Sequence, residues 1–399
     1  MAAALAGDLS RRLARAVNLA EVRAAASAAL PRPVFDIVEG GHGDDLTVRA
    51  NRAAFDRTSL RPRLLEDVTE VDPATTVLGR PTSMPVLVAP CSFARLCDPG
   101  AERSVARAAG AADVEYVVPG GASDPPEDVA RDAPGSLWYQ IYLKQDHGVN
   151  AELVGRVAAA GYRALCVTVD TPSQPYRETD VRNQMTIPVT ITPRLVALGL
   201  RHPRWARHFV VGNRAAGFSL TAARSSVQRL ADTIGALRPV RPADLAWLRS
   251  VWHGPLVVKG VLRPEDVDPL LDLGADALVV SNHGGRNLDT TPATLDVLPG
   301  VVEQVAGRAE VLLDGGVRRG SDVVKAVALG ARAVLVGRPH LHGLAAGGEP
   351  GVRRVLELLR AELVQTLRFV GAPTVARIDR ELVATGAEPS VEERAHVRR

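Results

Sequence analysis

The feature that most constrains the fold is an eightfold alternation of short apolar runs and helix-like stretches between residues 84 and 341. The apolar runs are Val86–Ala89, Tyr116–Val118, Trp138–Tyr142, Ala164–Val169, Leu256–Val258, Ala277–Val280, Val311–Leu313 and Ala333–Val336. Continuous apolar runs are typical of parallel strands that are buried on both faces. The stretches with apolar residues at helical spacing are Ala101–Ala112, Val149–Ala160, Pro264–Leu273, Ser321–Leu329 and Gly351–Phe369.

Eight strand–helix units in about 250 residues predict an α/β fold of the closed (β/α)8 type, a TIM barrel. The alternative is an open doubly wound sheet. Against it, no G-x-G-x-x-G turn follows the first strand, and polar groups follow nearly all eight strands. We expect residues 1–83 to form an amino-terminal helical lead-in packed on the barrel, residues 84–375 to form the barrel, and residues 376–399 to form a tail.

One connection is much longer than the others. Roughly seventy residues separate the fourth strand from Pro242, and loops of that length are usually functional, so we expect a flap at about 171–241. Within it, Leu195–Val211 mixes leucines, Trp205 and Phe209 with basic residues. Such a segment lies on a membrane surface or packs as an amphipathic flap over the barrel or a neighbouring subunit. We favour the packed flap.

Charge and cysteine content exclude some classes of function. The formal net charge is only +3 and is spread along the chain, so we expect no nucleic-acid partner. No apolar run approaches the roughly 20 residues that span a bilayer. Cys91, Cys97 and Cys166 have no metal-ligand spacing, so we expect reduced thiols in a cytoplasmic protein without a metal site.

The ends of strands seven and eight indicate an anion site. They carry Gly315 and Gly316 with Arg318, and Gly337 with Arg338. Paired glycines let backbone N–H groups approach an anion, and an arginine supplies a fork of donors. TIM barrels frequently bind phosphate after these two strands. We therefore predict a phosphate site rather than two plain barrel turns.

The ends of strands four to six carry residues suited to acid–base chemistry. His283 follows strand six, and Asp170 at the end of strand four is placed to hold its imidazole and raise its basicity. Arg286 and Arg177 over the same pocket imply an anionic substrate, most simply a carboxylate. Lys259 at the end of strand five either forms a Schiff base or stabilises an anionic cofactor, and spacing alone does not choose.

These residues resemble the FMN-dependent 2-hydroxy-acid oxidase and dehydrogenase family, which includes glycolate oxidase, lactate oxidase, flavin lactate dehydrogenase and mandelate dehydrogenase. The run SNHGGRNLD at 281–289 is similar to the active-site signature of that family. Further matching runs are QIY at 140–142, TVDTP at 168–172, VKG at 258–260, LDGGVR at 313–318 and GRP at 337–339. The resemblance covers about residues 30–380, in the family's order.

The resemblance implies non-covalently bound FMN and oxidation of an L-2-hydroxy acid to the 2-oxo acid, with electrons passed to oxygen, a quinone or another acceptor. It implies that His283 is the base and that Asp170 orients it. Tyr142 would bond the substrate oxygen, while Arg177 and Arg286 would hold the substrate carboxylate.

The resemblance also implies which residues bind FMN. Lys259 would face N1 and the C2 carbonyl of the flavin and stabilise the reduced anion. The other implied FMN-binding residues are Ala89, Pro90, Ser92, Gln140, Thr168 and Ser281 beside the flavin ring, Asp314 at the ribityl chain, and Gly315, Gly316, Arg318, Gly337 and Arg338 around the phosphate.

Five positions depart from the family pattern. A tyrosine that helps to hold the substrate is Ile37 here, which cannot donate a hydrogen bond. Serines after strand two become Pro119 and Gly120, a bulky residue becomes Gly121, and the glutamine of the signature is Asn287. The loss of side-chain volume and of a donor predicts a bulky or aromatic substrate. The alternatives are a specialised oxidation or oxidative decarboxylation in a biosynthetic pathway, or an inactive flavin-binding protein.

The resemblance has implications for assembly and location as well. Members of the family are often tetramers, so we expect a homo-oligomer. Some relatives dock on a membrane, which makes the loop at 185–235 a candidate for membrane contact. We expect a cytoplasmic protein, with peripheral attachment to the inner membrane as the alternative.

Overall fold

Eight parallel strands close into one barrel in a computed structural model that describes residues 13–183, 193–209 and 238–385. The strands in chain order are β1 Thr58–Leu60, β2 Thr75–Val77, β3 Arg80–Thr82, β4 Val86–Val88, β5 Tyr116–Val118, β6 Leu137–Ile141, β7 Ala164–Thr168, β8 Leu256–Val261, β9 Ala277–Val280, β10 Glu310–Leu313, β11 Ala333–Val336 and β12 Val383–Thr385. The barrel runs from β4 to β11, and β11 closes it by pairing with β4. The predicted TIM barrel is confirmed, and an open sheet is excluded.

The barrel strands are buried on both faces, which explains why they are continuous apolar runs. Inside the barrel, Trp138 of β6 is fully buried in an apolar cluster to which every barrel strand contributes side chains. The hairpin of β2 and β3 covers the amino-terminal end, where Val77 joins this interior cluster. The N–H of Leu78 donates to the Glu310 carboxylate at 2.9 Å, which fixes the hairpin to the start of β10.

Helices surround the barrel and join its strands. In chain order they are α1 Leu19–Ala29, α2 Arg32–Glu39, α3 Leu46–Arg57, α4 Ala94–Cys97, α5 Ala101–Ala111, α6 Pro126–Asp132, α7 His147–Ala159, α8 Glu178–Arg182, α9 Pro193–Arg201, α10 Pro203–Arg207, α11 Pro242–Val251, α12 Val267–Asp272, α13 Thr294–Val305, α14 Gly320–Ala328 and α15 Arg338–Val370. Helix α15 changes direction at Gly347 and Gly348, whose backbone angles are not helical, and its two halves pack against α1, α5 and α14.

Helix α3 is fixed to the carboxyl-terminal end of the barrel by polar contacts. The Asp289 carboxylate accepts backbone N–H groups from three residues at or just before the start of α3, at 2.8–3.2 Å. These N–H groups lack partners within the helix. Further along α3, the Asn51 amide exchanges two hydrogen bonds with the Asn282 amide, at 2.8 and 2.9 Å. The loop after β9 therefore holds α3 at two points.

The segment that we expected to be a tail begins with folded structure. Strand β12 pairs antiparallel with β1, and Leu382 and Val383 are buried. Residues 376–385 therefore belong to the folded body. Residues 386–399 lie outside the described residues.

Part of the expected flap at 171–241 packs on the barrel. Trp205 is 6% exposed, its indole N–H donates to the Leu96 carbonyl at 2.9 Å, and its ring stacks on Phe209. Residues 195–209 of the predicted amphipathic segment are described, whereas residues 210 and 211 and most of the 185–235 loop lie outside the described residues. Within residues 13–183, 193–209 and 238–385, no helix is both long and apolar enough to cross a membrane.

Candidate active site

A cleft opens at the carboxyl ends of the barrel strands, where TIM-barrel enzymes place their active sites. Its empty volume is about 1250 Å³, including the part open to solvent. The predicted site residues that line it are Ala89, Pro90, Ser92, Gln140, Tyr142, Arg177, Lys259, His283, Arg286, Asp314, Gly315, Gly316, Arg318, Gly337 and Arg338. Asp170, Thr168 and Ser281 do not line the cleft, and the last two are buried in the strand ends behind it.

His283 and Asp170 form a hydrogen-bonded pair at the cleft. His283 stands on the short turn after β9, and its Nδ1 lies 3.0 Å from Oδ1 of Asp170. Burial alone would raise the pKa of Asp170, but the charge and hydrogen bond of His283 bring it below its ordinary value. Asp170 is therefore ionised and accepts a hydrogen bond from the Nδ1–H group, which leaves Nε2 of the imidazole as the proton acceptor.

Neighbouring residues fix the position of Asp170. The Asn287 amide donates to the Asp170 carbonyl at 2.9 Å and to the Thr171 hydroxyl at 2.8 Å, and that hydroxyl donates to the Asp170 carboxylate at 3.1 Å. Gly260 has φ +117°, and a Cβ there would lie 2.6 Å from the Cβ of Asp170. The sequence interpretation missed this support, although Asn287 lies in the matched signature and Gly260 directly follows Lys259.

Lys259 is buried in a polar environment. Strand β8 continues past it, with a register shift between Lys259 and Val261. Its ammonium donates to the Ser281 hydroxyl at 2.9 Å and lies 3.1 Å from the Asp314 carboxylate. Burial would lower the pKa of Lys259, but Asp314 and Asp170 raise it above its ordinary value. A lysine held protonated is not a nucleophile, so the structure favours anion stabilisation over a Schiff base.

Three guanidinium groups at the cleft have no counter-ion among the described residues. Arg286, Arg318 and Arg338 form no ion pair with any carboxylate in the described part of the chain and instead donate to backbone carbonyls at 2.6–2.9 Å. Burial and the neighbouring guanidinium groups lower the pKa of Arg286 to about 9 and that of Arg318 to about 10. Partly buried positive charges without counter-ions favour bound anions.

The same cleft offers unpaired polar atoms and close backbone approach. The amide nitrogen of Gln140 and one carboxylate oxygen of Asp314 are buried, and neither has a hydrogen-bond partner within the residues described. Gly316 has φ +90°, and a Cβ there would lie 2.6 Å from the carbonyl oxygen of Asn51. Donors and acceptors for a ring and a polyol chain, together with cations and glycine N–H groups for a phosphate, fit the chemistry of FMN.

The positions that depart from the family pattern fall into two groups. Ile37, Gly121 and Asn287 line the cleft, and Ile37 is only 3% exposed on α2. Pro119 and Gly120 do not line it. A Cβ at Gly120 would lie 2.8 Å from the Gln140 carbonyl, and the Gly120 N–H donates to the Gln140 side chain at 2.9 Å. The lack of a side chain at Gly120 therefore permits this close contact with Gln140 and does not enlarge the pocket.

Comparisons with known proteins agree with this geometry. Residues 26–385 match the family described as FMN-dependent dehydrogenase. An L-lactate oxidase from Nostoc sp. is 40% identical over 368 residues, which cover 91% of this chain and 96% of that protein. Glycolate oxidase 5 from Oryza sativa subsp. japonica is 38% identical over 372 residues, which cover 93% of this chain and 96% of that protein.

Solved structures give the same result. The structure of a monotopic membrane protein, (S)-mandelate dehydrogenase, has a TM-score of 0.88 and 35% identity, and the match covers 93% of this chain and all of that one. A mandelate oxidase has a TM-score of 0.79 at 35% identity, and the match covers 93% and 98% of the two chains. This chain belongs to the FMN-dependent dehydrogenase family and is an oxidoreductase that acts on the CH–OH group of 2-hydroxy acids.

Proposed function

We propose that this enzyme oxidises an L-2-hydroxy acid with a bulky or aromatic side chain to the 2-oxo acid and passes the electrons to oxygen or another acceptor. One observation carries the proposal: a single cleft brings together the His283–Asp170 pair, two guanidinium groups and an apolar wall at Ile37. Each part of this arrangement supplies one requirement of the reaction.

The guanidinium groups of Arg286 and Arg177 bind the substrate carboxylate in this proposal. Both line the cleft, and Arg286 has no counter-ion of its own among the described residues. Two forks on one carboxylate fix the α-carbon next to the base, which removes much of the entropic barrier to reaction. The uncompensated charge also gives the anionic group of the substrate its binding energy.

His283 accepts a proton from the substrate at Nε2, and ionised Asp170 stabilises the imidazolium that forms. Burial and the Asp170 charge raise the pKa of Tyr142 to about 12, so its hydroxyl stays protonated and donates to the substrate oxygen. The Gln140, Lys259, Asp314 and arginine groups described above would hold FMN, which would supply the acceptor for the two electrons and for the second proton that the substrate loses. The protein residues supply orientation, charge and proton transfer.

The size of the substrate follows from the wall of the cleft. Ile37 presents an apolar side chain without a donor, and Gly121 presents no side chain. An apolar wall of this kind stabilises an apolar substituent by about 25 cal/mol for each Å² that it covers. Ile37 is only 3% exposed and offers little area, so the support for a larger substituent comes from the missing donor at Ile37 and the missing side chain at Gly121.

The first experiment measures anaerobic reduction of the flavin by a panel of 2-hydroxy acids. We expect mandelate and other aromatic or bulky acids to bleach the flavin faster than glycolate or lactate. A strong preference for glycolate would contradict the proposed substrate class. Ile37→Tyr is the matched variant, because it restores a donor and fills space, and it should shift the preference towards smaller acids. Product analysis distinguishes the 2-oxo acid from a decarboxylated product, and admission of air distinguishes oxygen from other acceptors.

His283→Ala tests whether the imidazole is the base of the reaction. The variant should keep its FMN, since the residues that fit FMN are untouched, but should reduce it at least about 10²-fold more slowly, as expected for loss of a general base. Unchanged bleaching in His283→Ala would refute the role of the imidazole. A wild-type flavin that no acid reduces would indicate an inactive flavin-binding protein.

Assembly and location are part of the same proposal. A cytoplasmic homo-oligomer, such as a tetramer, is our expectation, and contact of the 185–235 loop with a membrane is the alternative. Light scattering of the purified protein measures the assembly. Cell fractionation with and without that loop measures membrane attachment.

A further inference from the structure

Arg177, which lines the substrate end of the cleft, is paired with a carboxylate that the mechanism does not use and that does not itself line the cleft. Asp180 on α8 accepts a hydrogen bond from Nε of Arg177 at 2.9 Å. The pair is largely shielded, with side-chain exposures of 14% for Arg177 and 22% for Asp180. An ion pair that is shielded from solvent keeps more of its Coulomb energy than one on the surface. Asp180 therefore contributes to the electrostatics of the cleft.

The Asp180 carboxylate also acts on the second guanidinium. Burial, Arg177 and Arg338 lower the pKa of Arg286, and Asp180 opposes them. The segment that carries Asp180 is held in place, because the amide of Asn183 donates to Asp36 on α2 at 3.0 Å. The negative charge of Asp180 thus lies beside the two positive charges of Arg177 and Arg286.

The charge balance of this end follows directly. Among these three groups, Arg177 and Arg286 contribute +2 and Asp180 contributes −1, which leaves +1 for the substrate. Behind them, Lys259 is matched by Asp314, and the ionised Asp170 is hydrogen-bonded to the His283 imidazole rather than to either guanidinium. A substrate with one carboxylate brings the balance to zero, whereas a second carboxylate would be left without a partner.

We propose that Asp180 selects substrates with a single negative charge, and that this is a specificity role exerted partly through Arg177. The inference rests on the proposed function, which assigns this end of the cleft to the substrate carboxylate, but it concerns substrate binding alone. Asp180 leaves the terminal nitrogens of Arg177 for the substrate carboxylate, since the ion pair uses only Nε. Dicarboxylic hydroxy acids are excluded by charge.

Oxamate and oxalate test this proposal, since they have nearly the same shape and differ by one negative charge. Each is titrated into the FMN-bound protein, and the change in visible flavin absorption gives its Kd without turnover. In Asp180→Asn the ratio of the two affinities should move about tenfold towards oxalate, the size expected for removing one nearby charge from a partly shielded site. A displaced Arg177 would weaken the binding of both anions alike, so it would not change the ratio of the two affinities.

Two control variants separate charge from structure. Asp180→Glu restores the charge and should keep the wild-type ratio. Glu178→Gln removes a carboxylate from the same helix, but Glu178 is paired with Arg182 at the surface, so the ratio should stay within about twofold. If Asp180→Asn does not retain FMN, Asp180→Ser makes the same charge change in a smaller side chain.

A ratio in the charge-removed variant within twofold of the wild-type value would overturn the proposal, whatever happens to the separate Kd values. Failure of the wild-type flavin to respond to either anion would overturn it too. Failure of the proposed function gives a different result, because then no hydroxy acid bleaches the flavin while the two anions still bind. The two outcomes are therefore distinguishable in one set of samples.

Discussion

At the scale of single residues, strong electrostatic perturbation is not confined to the cleft. Glu102 is fully buried in the first turn of α5. Burial, followed by repulsion from Asp124, raises its pKa to about 7. An acidic residue in a first helical turn is so common that the sequence did not single this one out. Its burial depends on the partner elements, which the local pattern does not specify.

Glu102 predicts a pH dependence of stability. The folded-state pKa of about 7 lies above the ordinary value of 4.5, so the folded state binds more protons between these values. Its contribution is full below about pH 4.5 and is lost as the pH rises through 7. Relative to Glu102→Gln, the wild type should therefore lose on the order of 2 kcal/mol of unfolding free energy between pH 5 and pH 8.

Urea unfolding at the two pH values measures this difference. Glu303→Gln on α13 is the control, because that side chain is exposed and should be hydrated in both states. A parallel pH trend in the wild type and Glu102→Gln would show that Glu102 carries no such proton.

Unlike Glu102, the site residues His283 and Arg286 could be predicted from the sequence, because they share one contiguous run that follows a strand.

At the scale of elements, what could be predicted depended on how local the signal was. The strands were recognisable because burial on both faces leaves a short, uniformly apolar run, as in β9 and β11. The contact of Asp289 with α3 was not recognisable, since the carboxylate and the N–H groups it accepts are more than 240 residues apart. No periodicity in the sequence records such a tertiary cap.

Asp289→Ala should therefore destabilise the fold. It leaves three N–H groups at the start of α3 without their acceptor, and the loss of a helix cap typically costs about 1–2 kcal/mol. Urea denaturation at pH 7 measures the unfolding free energy. Asp296→Ala removes a carboxylate from the first turn of α13 together with its half-exposed ion pair to Arg57, so the change should stay below about 1 kcal/mol. Equal effects of the two substitutions would argue against the cap.

At the scale of the whole molecule, elements that precede the barrel in the chain pack against elements that follow it. Strand β12 pairs with β1, and α15 packs against α1, so elements from before and after the barrel support each other. We expected residues 376–399 to form a tail, since the segment after Ala384 is charged and short of apolar residues, and no local pattern indicates a distant strand partner for residues 383–385. The barrel itself was predictable from repetition, whereas this closure depends on pairing across more than 300 residues.

Leu382→Ala tests whether that closure stabilises the molecule. Leu382 is fully buried, and its carbonyl accepts the Arg61 N–H at 2.8 Å beside β1. Truncating a buried leucine typically costs about 2–5 kcal/mol, through lost burial and the cavity that remains. The unfolding free energy should fall by that amount, while flavin reduction at 25 °C stays near the wild-type rate because Leu382 does not line the cleft. Leu64→Ala is the matched control, since Leu64 is 83% exposed and its truncation should change little. If both variants unfold like the wild type, the carboxyl-terminal strand contributes nothing to stability, and the barrel is sufficient without it.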